Sequence, residues 1–254
     1  MNAVSLRHAT GASTHQGQVR DHNEDGWFAS EEQGLWAVAD GMGGHENGEW
    51  ASAVVVAALG KLRLDGEFED CCAQISAAIY DANAEIYKEA SAGGRQMGTT
   101  AVVLFVRNRR FAVLWVGDSR AYLLRGGELL QISKDHTQVQ EMVDLGLLSE
   151  ADAHAHPMRH VLARAVGVTA NVEVDVIVDQ VEPGDTFLLA SDGLHCCVPD
   201  DAIARMLAGP LLDAVACDLV NEALDQGAPD NVTVVAVRFR EVTVPALEQS
   251  GEPE

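Results

Sequence analysis

Four aspartates in this sequence lie at or beside the ends of apolar stretches, each next to a glycine or an asparagine. They are Asp40, Asp118, Asp192 and Asp230. Asp40 follows the apolar run 35–39 and precedes Gly41, where the backbone turns easily and comes close to a ligand. A single Asp-Gly pair is typical of a plain turn. Four such settings indicate a shared site, because antiparallel sheets bring the ends of several strands together.

Converging carboxylates repel one another, and divalent cations are their natural counter-charge. The chain has only 17 lysines and arginines, and of these only Arg120 flanks the four aspartates. Oxygen ligands favour Mg²⁺ or Mn²⁺ over zinc, which prefers histidine and cysteine. Two such ions about 3.5–4 Å apart activate a shared water and clamp a phosphoryl group. Arg20 is a candidate to hold that phosphate, since a guanidinium makes paired hydrogen bonds to it.

The pattern of apolar residues indicates an α+β fold. Strands are predicted over about 6–13, 27–29, 35–39, 101–106, 111–116, 121–124, 129–132, 172–178, 186–190 and 232–239. Helices are predicted over about 48–64, with a cap near Asn47, and over 70–90, 200–207 and 210–224. The helices come in adjacent pairs, unlike the strand–helix alternation of a doubly wound parallel sheet. We therefore predict antiparallel sheets with helix pairs outside, in a single domain over residues 1–240.

Two segments lack a regular pattern. Residues 134–167 are helical but irregular, rich in histidine and aspartate, and are expected to form a mobile excursion. Their histidines, His154, His156 and His160, are more typical of solvated side chains than of metal ligands. Residues 241–254 are polar with two prolines and predict a disordered C-terminal tail.

Composition narrows the classes of function. The chain of 254 residues has a net charge of -22, which argues against nucleic acid and anionic membranes as partners. No apolar run approaches the length of a membrane span and no signal peptide is evident, so a cytoplasmic location is expected. The five cysteines include no Cys-x-x-Cys pair, which predicts free thiols rather than disulfides or a zinc site.

Six short motifs carry a resemblance to a known family. They are Val19-Arg20 with Asn23-Glu24-Asp25, then residues 39–45, 98–100, 116–120, 191–193 and 230–233. Over about residues 10–240 they resemble, in order and spacing, the motifs of bacterial metal-dependent serine/threonine phosphatases of the PPM (protein phosphatase 2C) type. One motif alone is weak, whereas six in order are specific.

The resemblance implies a four-layer α-β-β-α sandwich, two antiparallel sheets each flanked by a helix pair, with the metal site in a cleft at one end. By family position Asp40 bridges two metal ions, the Gly41 carbonyl ligates one of them, and Asp192 and Asp230 hold the other. Asp118 joins Asp192 at a third metal site. Glu24 and Asp25 ligate or order metal-bound water, and Arg20 binds phosphate. Arg20 and Asp40 are thus the expected catalytic residues. Residues 134–167, hereafter the flap segment, occupy the place of the flap beside the cleft.

The implied reaction is hydrolysis of phosphoserine and phosphothreonine in proteins by a hydroxide that bridges two Mn²⁺ or Mg²⁺ ions, with a third ion at the weaker site. The implied partner is a phosphoprotein substrate of a cognate bacterial serine/threonine kinase, and the chain is expected to act as a monomer. Two alternatives stay open. A catalytically inactive phosphoprotein-binding domain would be expected to lack a metal ligand or the arginine, and a hydrolase of small phosphoesters would need a base-binding pocket.

The sequence departs from the family pattern at two places. Some relatives carry a histidine, a proposed general acid, where this chain has Met42. The acid is then expected to be a metal-bound water, with His45 as the less favoured substitute. The run Leu194-His195-Cys196-Cys197 stands where polar residues are expected.

Overall fold

The computed structural model describes residues 3–44, 46–154 and 156–244. The strands are β1 Ala3–His15, β2 Asp25–Ser30, β3 Leu35–Met42, β4 Gly98–Thr99, β5 Ala101–Arg107, β6 Arg110–Val116, β7 Arg120–Arg125, β8 Glu128–Gln131, β9 Asp175–Gln180, β10 Thr186–Ala190 and β11 Val232–Val244. The helices are α1 Glu46–Gly60, α2 Phe68–Gly93, α3 Gln138–Asp144, α4 Glu150–His154, α5 Asp192–His195, α6 Asp200–Leu207 and α7 Leu212–Asp225. No helix in these described ranges is long and apolar enough to span a bilayer.

The strands form two sheets in which every pairing is antiparallel. Sheet 1 has the order β1-β11-β10-β7-β8, and sheet 2 has the order β2-β3-β5-β6-β9 with β4 paired to β3. Hairpins formed by neighbours in sequence, such as β5–β6 and β7–β8, build much of both sheets. The predicted antiparallel arrangement is confirmed.

The inner faces of the two sheets pack on each other. Alternate residues of each strand point inward, so Trp36 and Val38 of β3 share one apolar cluster with Phe187 and Leu189 of β10. All four are fully buried. The Phe187 ring packs edge-on against Phe111 of the opposite sheet, with 4.8 Å between ring centroids. This layer fixes how the sheets face each other and where their strand ends lie.

Helices cover both outer faces. On sheet 2, Leu35 and Ala37 pack under α1 and α2 in one cluster. On sheet 1, Leu188 and Ala190 pack under α6 and α7 in another. Central strands are therefore buried on both faces, which explains why they read as continuous apolar runs. The predicted four-layer α-β-β-α sandwich is confirmed.

Several boundaries of helices and strands differ from the predictions by a few residues. β1 and β11 pair in register from Ala3 opposite Val244 to His15 opposite Val232, so residues 241–244 belong to the strand and not to a tail. The backbone hydrogen bonds between β1 and β11 continue past the apolar residues of β11 and keep its polar end in the sheet. The remainder of the expected tail, 245–254, lies outside the described residues. Helix α1 begins at Glu46, one residue before the predicted cap Asn47. The flap segment holds two short helices, in keeping with its predicted irregular helical pattern, and a β-bridge joins Thr137 to Leu162.

Truncating Phe187 tests the inter-sheet layer. Phe187→Ala is expected to lower the free energy of unfolding by about 3–5 kcal/mol, because it removes buried apolar surface and leaves a cavity. Leu147→Ala, at a side chain that is 74% exposed, is expected to change it by less than about 0.5 kcal/mol. Urea unfolding followed by circular dichroism measures both. Equal effects of the two substitutions would contradict the packing described.

Candidate active site

A cavity of about 1200 Å³ opens at the end of the sandwich where the predicted aspartates meet. Seven predicted site residues line it: Arg20, Glu24, Asp40, Gly41, Asp118, Asp192 and Asp230. Asp25 lies beside them, opposite Asp40 in the pairing of β2 with β3. The structure therefore brings the whole predicted set to one place.

Asp40 is held through its backbone by the threonines of the 98–100 motif. The Asp40 N–H donates to Thr100 Oγ1 at 2.9 Å, and the Asp40 carbonyl accepts from the Thr100 N–H at 2.8 Å and from Thr99 Oγ1 at 2.9 Å. Thr100 Oγ1 lies 2.6 Å from Ser119 Oγ, next to Asp118. The motif thus fixes the end of β3 and ties it to the neighbouring aspartate loop.

Gly41 allows the chain to pack tightly after Asp40. A Cβ at this position would lie 2.1 Å from the Gly48 carbonyl oxygen and 2.5 Å from the Glu24 carbonyl oxygen. The Gly41 N–H donates to that same Glu24 carbonyl oxygen at 3.2 Å. Only glycine fits between α1 and the acidic loop, which explains the residue type at a predicted metal-ligating position.

The loop that carries Arg20 is anchored by Asn231. The Asn231 amide donates to the carbonyls of Gln16 and His22 at 2.9 and 2.8 Å, and its oxygen accepts from the Glu24 N–H at 2.8 Å. The amide therefore holds both ends of the loop. Arg20 lies between these ends, where its Nη2 is 2.7 Å from Asp230 Oδ2.

Ser191 joins the two sheets beneath the cavity. It accepts from the Thr233 N–H of β11 at 2.9 Å and donates to Asp25 Oδ2 of β2 at 2.8 Å. Ser191 is also the cap of the four-residue helix α5, whose first residue is Asp192. One hydroxyl therefore links the strands that present Asp25, Asp192 and Asp230.

The Asp118 loop is held between two histidines. The Gly117 N–H donates to His136 Nδ1 at 3.1 Å, while His195 Nε2 donates to the Asp118 carbonyl at 3.1 Å. Burial, reinforced by the charge of Arg120, lowers the pKa of His195 to about 4. His195 is therefore neutral at pH 7. This gives a structural role to one residue of the unusual run 194–197.

The carboxylates raise one another's pKa. Burial raises the pKa of Asp40 well above its usual range, and the charges of Asp25, Asp192, Asp118 and Asp230 raise it further. Burial likewise raises the pKa of Asp25 to about 7, despite hydrogen bonds to its carboxylate. The charged forms of Asp40 and Asp25 are thus unfavourable in the folded chain unless positive charge lies near them. At Asp192, by contrast, the contacts with His160 and other basic groups outweigh burial and lower the pKa.

The donor set fits hard divalent cations. Asp25 Oδ1 is buried and has no hydrogen-bond partner within the described residues. A buried carboxylate oxygen is costly without a partner, and a cation or its bound water supplies one. All predicted ligands offer oxygen, which favours Mg²⁺ or Mn²⁺.

Comparison with known proteins identifies the family. A model of the protein phosphatase 2C family matches residues 10–142, slightly more than half of the chain. The serine/threonine phosphatase stp of Listeria monocytogenes is 36% identical over 88% of this chain and 93% of its own length. This chain belongs to the protein phosphatase 2C family. The predicted resemblance is confirmed.

Two further comparisons show how much of a longer relative this chain spans and which metal a related structure contains. The serine/threonine protein phosphatase PstP of Mycobacterium tuberculosis is 42% identical over 91% of this chain, which spans only 44% of that relative. A crystal structure of the PstP catalytic domain in complex with two manganese ions is 38% identical, with a TM-score of 0.84 over 93% of this chain and all of that one. Protein phosphatase 2C enzymes are metal-dependent, in keeping with the oxygen donors described here.

Sequence reasoning missed the contacts that hold the site. The roles of Thr100, Ser191 and Asn231 depend on partners in distant segments. The available signals were that Ser191 and Asn231 each adjoin a predicted ligand and that Thr100 belongs to the 98–100 motif. His160, expected to be solvated, lies 3.7 Å from Asp192, whereas the His156 Nδ1 accepts a local backbone hydrogen bond. His45 and the side chain of His154 lie outside the described residues.

Removing one site charge is expected to stabilise the metal-free protein. The folded-state pKa of Asp40 lies above its ordinary value. The ionised carboxylate therefore lowers the free energy of unfolding at pH values above that ordinary pKa. In EDTA, Asp40→Asn should raise the unfolding midpoint by roughly 2–4 °C, the shift that about 1 kcal/mol gives in a chain of this size. With Mn²⁺ added, the variant should gain less stability than wild type.

Asp185→Asn is the matched control at a buried aspartate outside the site. Asp185 is 1% exposed and accepts two hydrogen bonds from Arg125, at 2.8 and 2.7 Å. Its substitution should lower the midpoint both in EDTA and in Mn²⁺. Thermal scans of the three proteins in each buffer make the comparison. A lower midpoint for Asp40→Asn in EDTA would contradict the repulsion described.

Proposed function

We propose that this chain is a metal-dependent phosphatase of phosphoserine and phosphothreonine in proteins. The observation that carries the proposal is the meeting of a guanidinium with clustered carboxylates in one open cavity. Arg20 lies 2.7 Å from Asp230, and its side chain is 55% exposed, where a phosphate can reach it. Relatives that are similar over most of this chain, named serine/threonine phosphatases, support the same reaction.

The oxygen donors divide into the roles that the family positions suggest. Asp40 and the Gly41 carbonyl, with Asp192 and Asp230, would hold two Mn²⁺ or Mg²⁺ ions. Asp118 would help to hold a third ion, and the acidic pair Glu24 and Asp25 would bind or order metal-bound water. When bound, such ions activate water and neutralise charge on the phosphoryl oxygens.

Arg20 orients the phosphate in this proposal. Its hydrogen bond to Asp230 raises its pKa and holds the guanidinium at the cavity mouth. As a metal ligand Asp230 would share its charge with the ion, and the guanidinium of Arg20 would be available to pair with two phosphate oxygens. Met42 also lines the cavity but has no proton to donate, so the leaving group takes its proton from water.

The cavity favours a protein substrate over a small phosphoester. Its volume of about 1200 Å³ exceeds the range of about 300–1,000 Å³ typical of small-molecule pockets. It extends from the carboxylates past the C-terminal end of α2, where Tyr87, Arg95 and Met97 line it, to the flap segment. Tyr87 is the one Phe, Tyr or Trp side chain among the described lining residues, which gives no stacking pair for a base.

Every predicted metal ligand and Arg20 are present, which argues against an inactive binding domain.

The proposed partner is a phosphoprotein substrate, whose phosphate a cognate serine/threonine kinase adds and this chain removes. Kinase and phosphatase then meet in the cytoplasm, where the kinase has ATP. We infer that the chain acts as a monomer, because all the predicted ligands and the arginine come from one chain and line one cavity.

Phosphate release from a phosphothreonine peptide tests the proposed function. Wild type is expected to release phosphate with Mn²⁺ or Mg²⁺ and not with EDTA. Asp192→Asn should lower the rate on the order of a hundredfold or more, because it removes a charged ligand. Asp201→Asn, at an exposed aspartate of α6, is the control and should keep the wild-type rate. If folded wild type binds the peptide but is inactive with both metals, the binding-domain alternative replaces the enzyme.

Arg20→Lys separates charge from hydrogen-bond geometry. Lysine keeps the positive charge but cannot make the paired bonds of a guanidinium. The kcat/KM for the peptide is expected to fall roughly 10–100-fold, or about 1.4–2.7 kcal/mol of transition-state stabilisation. Arg205→Lys, which changes an exposed arginine of α6, is the control. Unchanged kcat/KM in Arg20→Lys would remove the proposed phosphate contact.

A further inference from the structure

A cluster of nitrogen, oxygen and sulfur donors lies at the edge of the aspartate site, hereafter the oxygen site. His160 Nδ1, a carboxylate oxygen of Asp192 and Cys196 Sγ all lie within 4.8 Å of one another. The imidazole nitrogen is 3.7 Å from Asp192 Oδ2 and 3.7 Å from Cys196 Sγ. His160 and Cys196 are exposed, so the cluster is open to ions from solvent. The proposed phosphatase reaction uses neither the imidazole nor the thiol.

Two segments far apart in sequence supply these donors. Asp192 and Cys196 lie four residues apart on one turn, where the Cys196 N–H donates to the Asp192 carbonyl at 2.9 Å. Residues four apart on a helical turn share a face. His160 belongs to the flap segment, next to Val161, whose carbonyl accepts from the Gln138 N–H at 2.9 Å. Backbone hydrogen bonds on both sides thus place the donors.

The spacing of the donors matches a tetrahedral zinc site. Zinc bonds of about 2.3 Å to sulfur and 2.0–2.1 Å to nitrogen, at tetrahedral angles, put those two atoms roughly 3.5 Å apart. The observed distance between Cys196 Sγ and His160 Nδ1 is 3.7 Å. Thiolate and imidazole favour zinc, whereas Mg²⁺ prefers oxygen ligands. One thiolate and one carboxylate also balance the charge of a divalent ion.

We propose that His160, Asp192 and Cys196 form a zinc-binding site with a water as the fourth ligand. Binding releases the Cys196 thiol proton to solvent and forms the metal–sulfur bond. The ion ties the flap segment to α5. It also engages Asp192, which the oxygen site needs, so zinc at this site inhibits the proposed hydrolysis. The binding itself does not depend on the chain being a phosphatase.

Cobalt titration of the full chain in excess Mg²⁺ tests the binding. Mg²⁺ is spectroscopically silent and occupies oxygen sites, whereas Co²⁺ bound to a thiolate gives a ligand-to-metal charge-transfer band. Wild type is expected to show this band and the visible absorption of tetrahedral Co²⁺, both lost when Zn²⁺ is added. Cys196→Ser should abolish the charge-transfer band, and His160→Gln should weaken cobalt binding at least tenfold.

Cys197→Ser and His156→Gln are the matched controls, since each changes the same residue type close by in sequence. Both variants should keep the wild-type cobalt spectrum. A wild type without the charge-transfer band, or a band that persists in Cys196→Ser, would overturn the proposed site. Because this readout needs no catalysis, an inactive protein leaves the result interpretable.

Inhibition of phosphate release tests the consequence. With Mn²⁺ present, Cys196→Ser and His160→Gln should each require at least tenfold more Zn²⁺ than wild type for half-inhibition. Cys197→Ser should behave as wild type. Equal sensitivity of wild type and Cys196→Ser would show that zinc acts only at the oxygen site and would overturn the inhibitory role.

Discussion

Carboxylates that repel one another are held together at one end of the sandwich, and much of the local structure there serves to hold them. Asp40 and Asp118 have pKa values raised well above the usual range, first by burial and then by neighbouring aspartates. A folded chain tolerates such a cluster only where other contacts outweigh its cost. The three apolar clusters of the sandwich stabilise the fold and so offset the cost of this repulsion.

Hydrogen bonds from neutral polar side chains position the charged ones. Ser191 connects β10 and β11 of sheet 1 to Asp25 of sheet 2. Thr100 fixes the backbone of Asp40, and Asn231 fixes the loop that carries Arg20. These groups add no charge to the cluster. They therefore set its geometry without adding to its repulsion.

The sequence predicted the parts of this structure that depend on local pattern. Apolar runs with a turn between them gave the hairpin β5–β6, and aspartates at strand ends gave most of the site. The order of the layers came from family resemblance. Helix α5 was missed because its four residues are too short for periodicity. The partners of Ser191 and Asn231 were missed because a hydrogen bond to a distant segment leaves no trace in sequence before the topology is known.

Asp192 stands between two kinds of donor, and with the ligands proposed above this would make the site sensitive to the type of metal. On one side lie the carboxylate oxygens of Asp40, Asp118 and Asp230, a type of donor that suits Mg²⁺ and Mn²⁺. On the other lie the imidazole of His160 and the thiol of Cys196. A sulfur ligand adds little to the affinity for a hard ion and much to the affinity for a softer one. The identity of the ion would therefore decide with which group of donors Asp192 binds it. A single carboxylate shared in this way would couple the flap segment to the oxygen site without any change of fold.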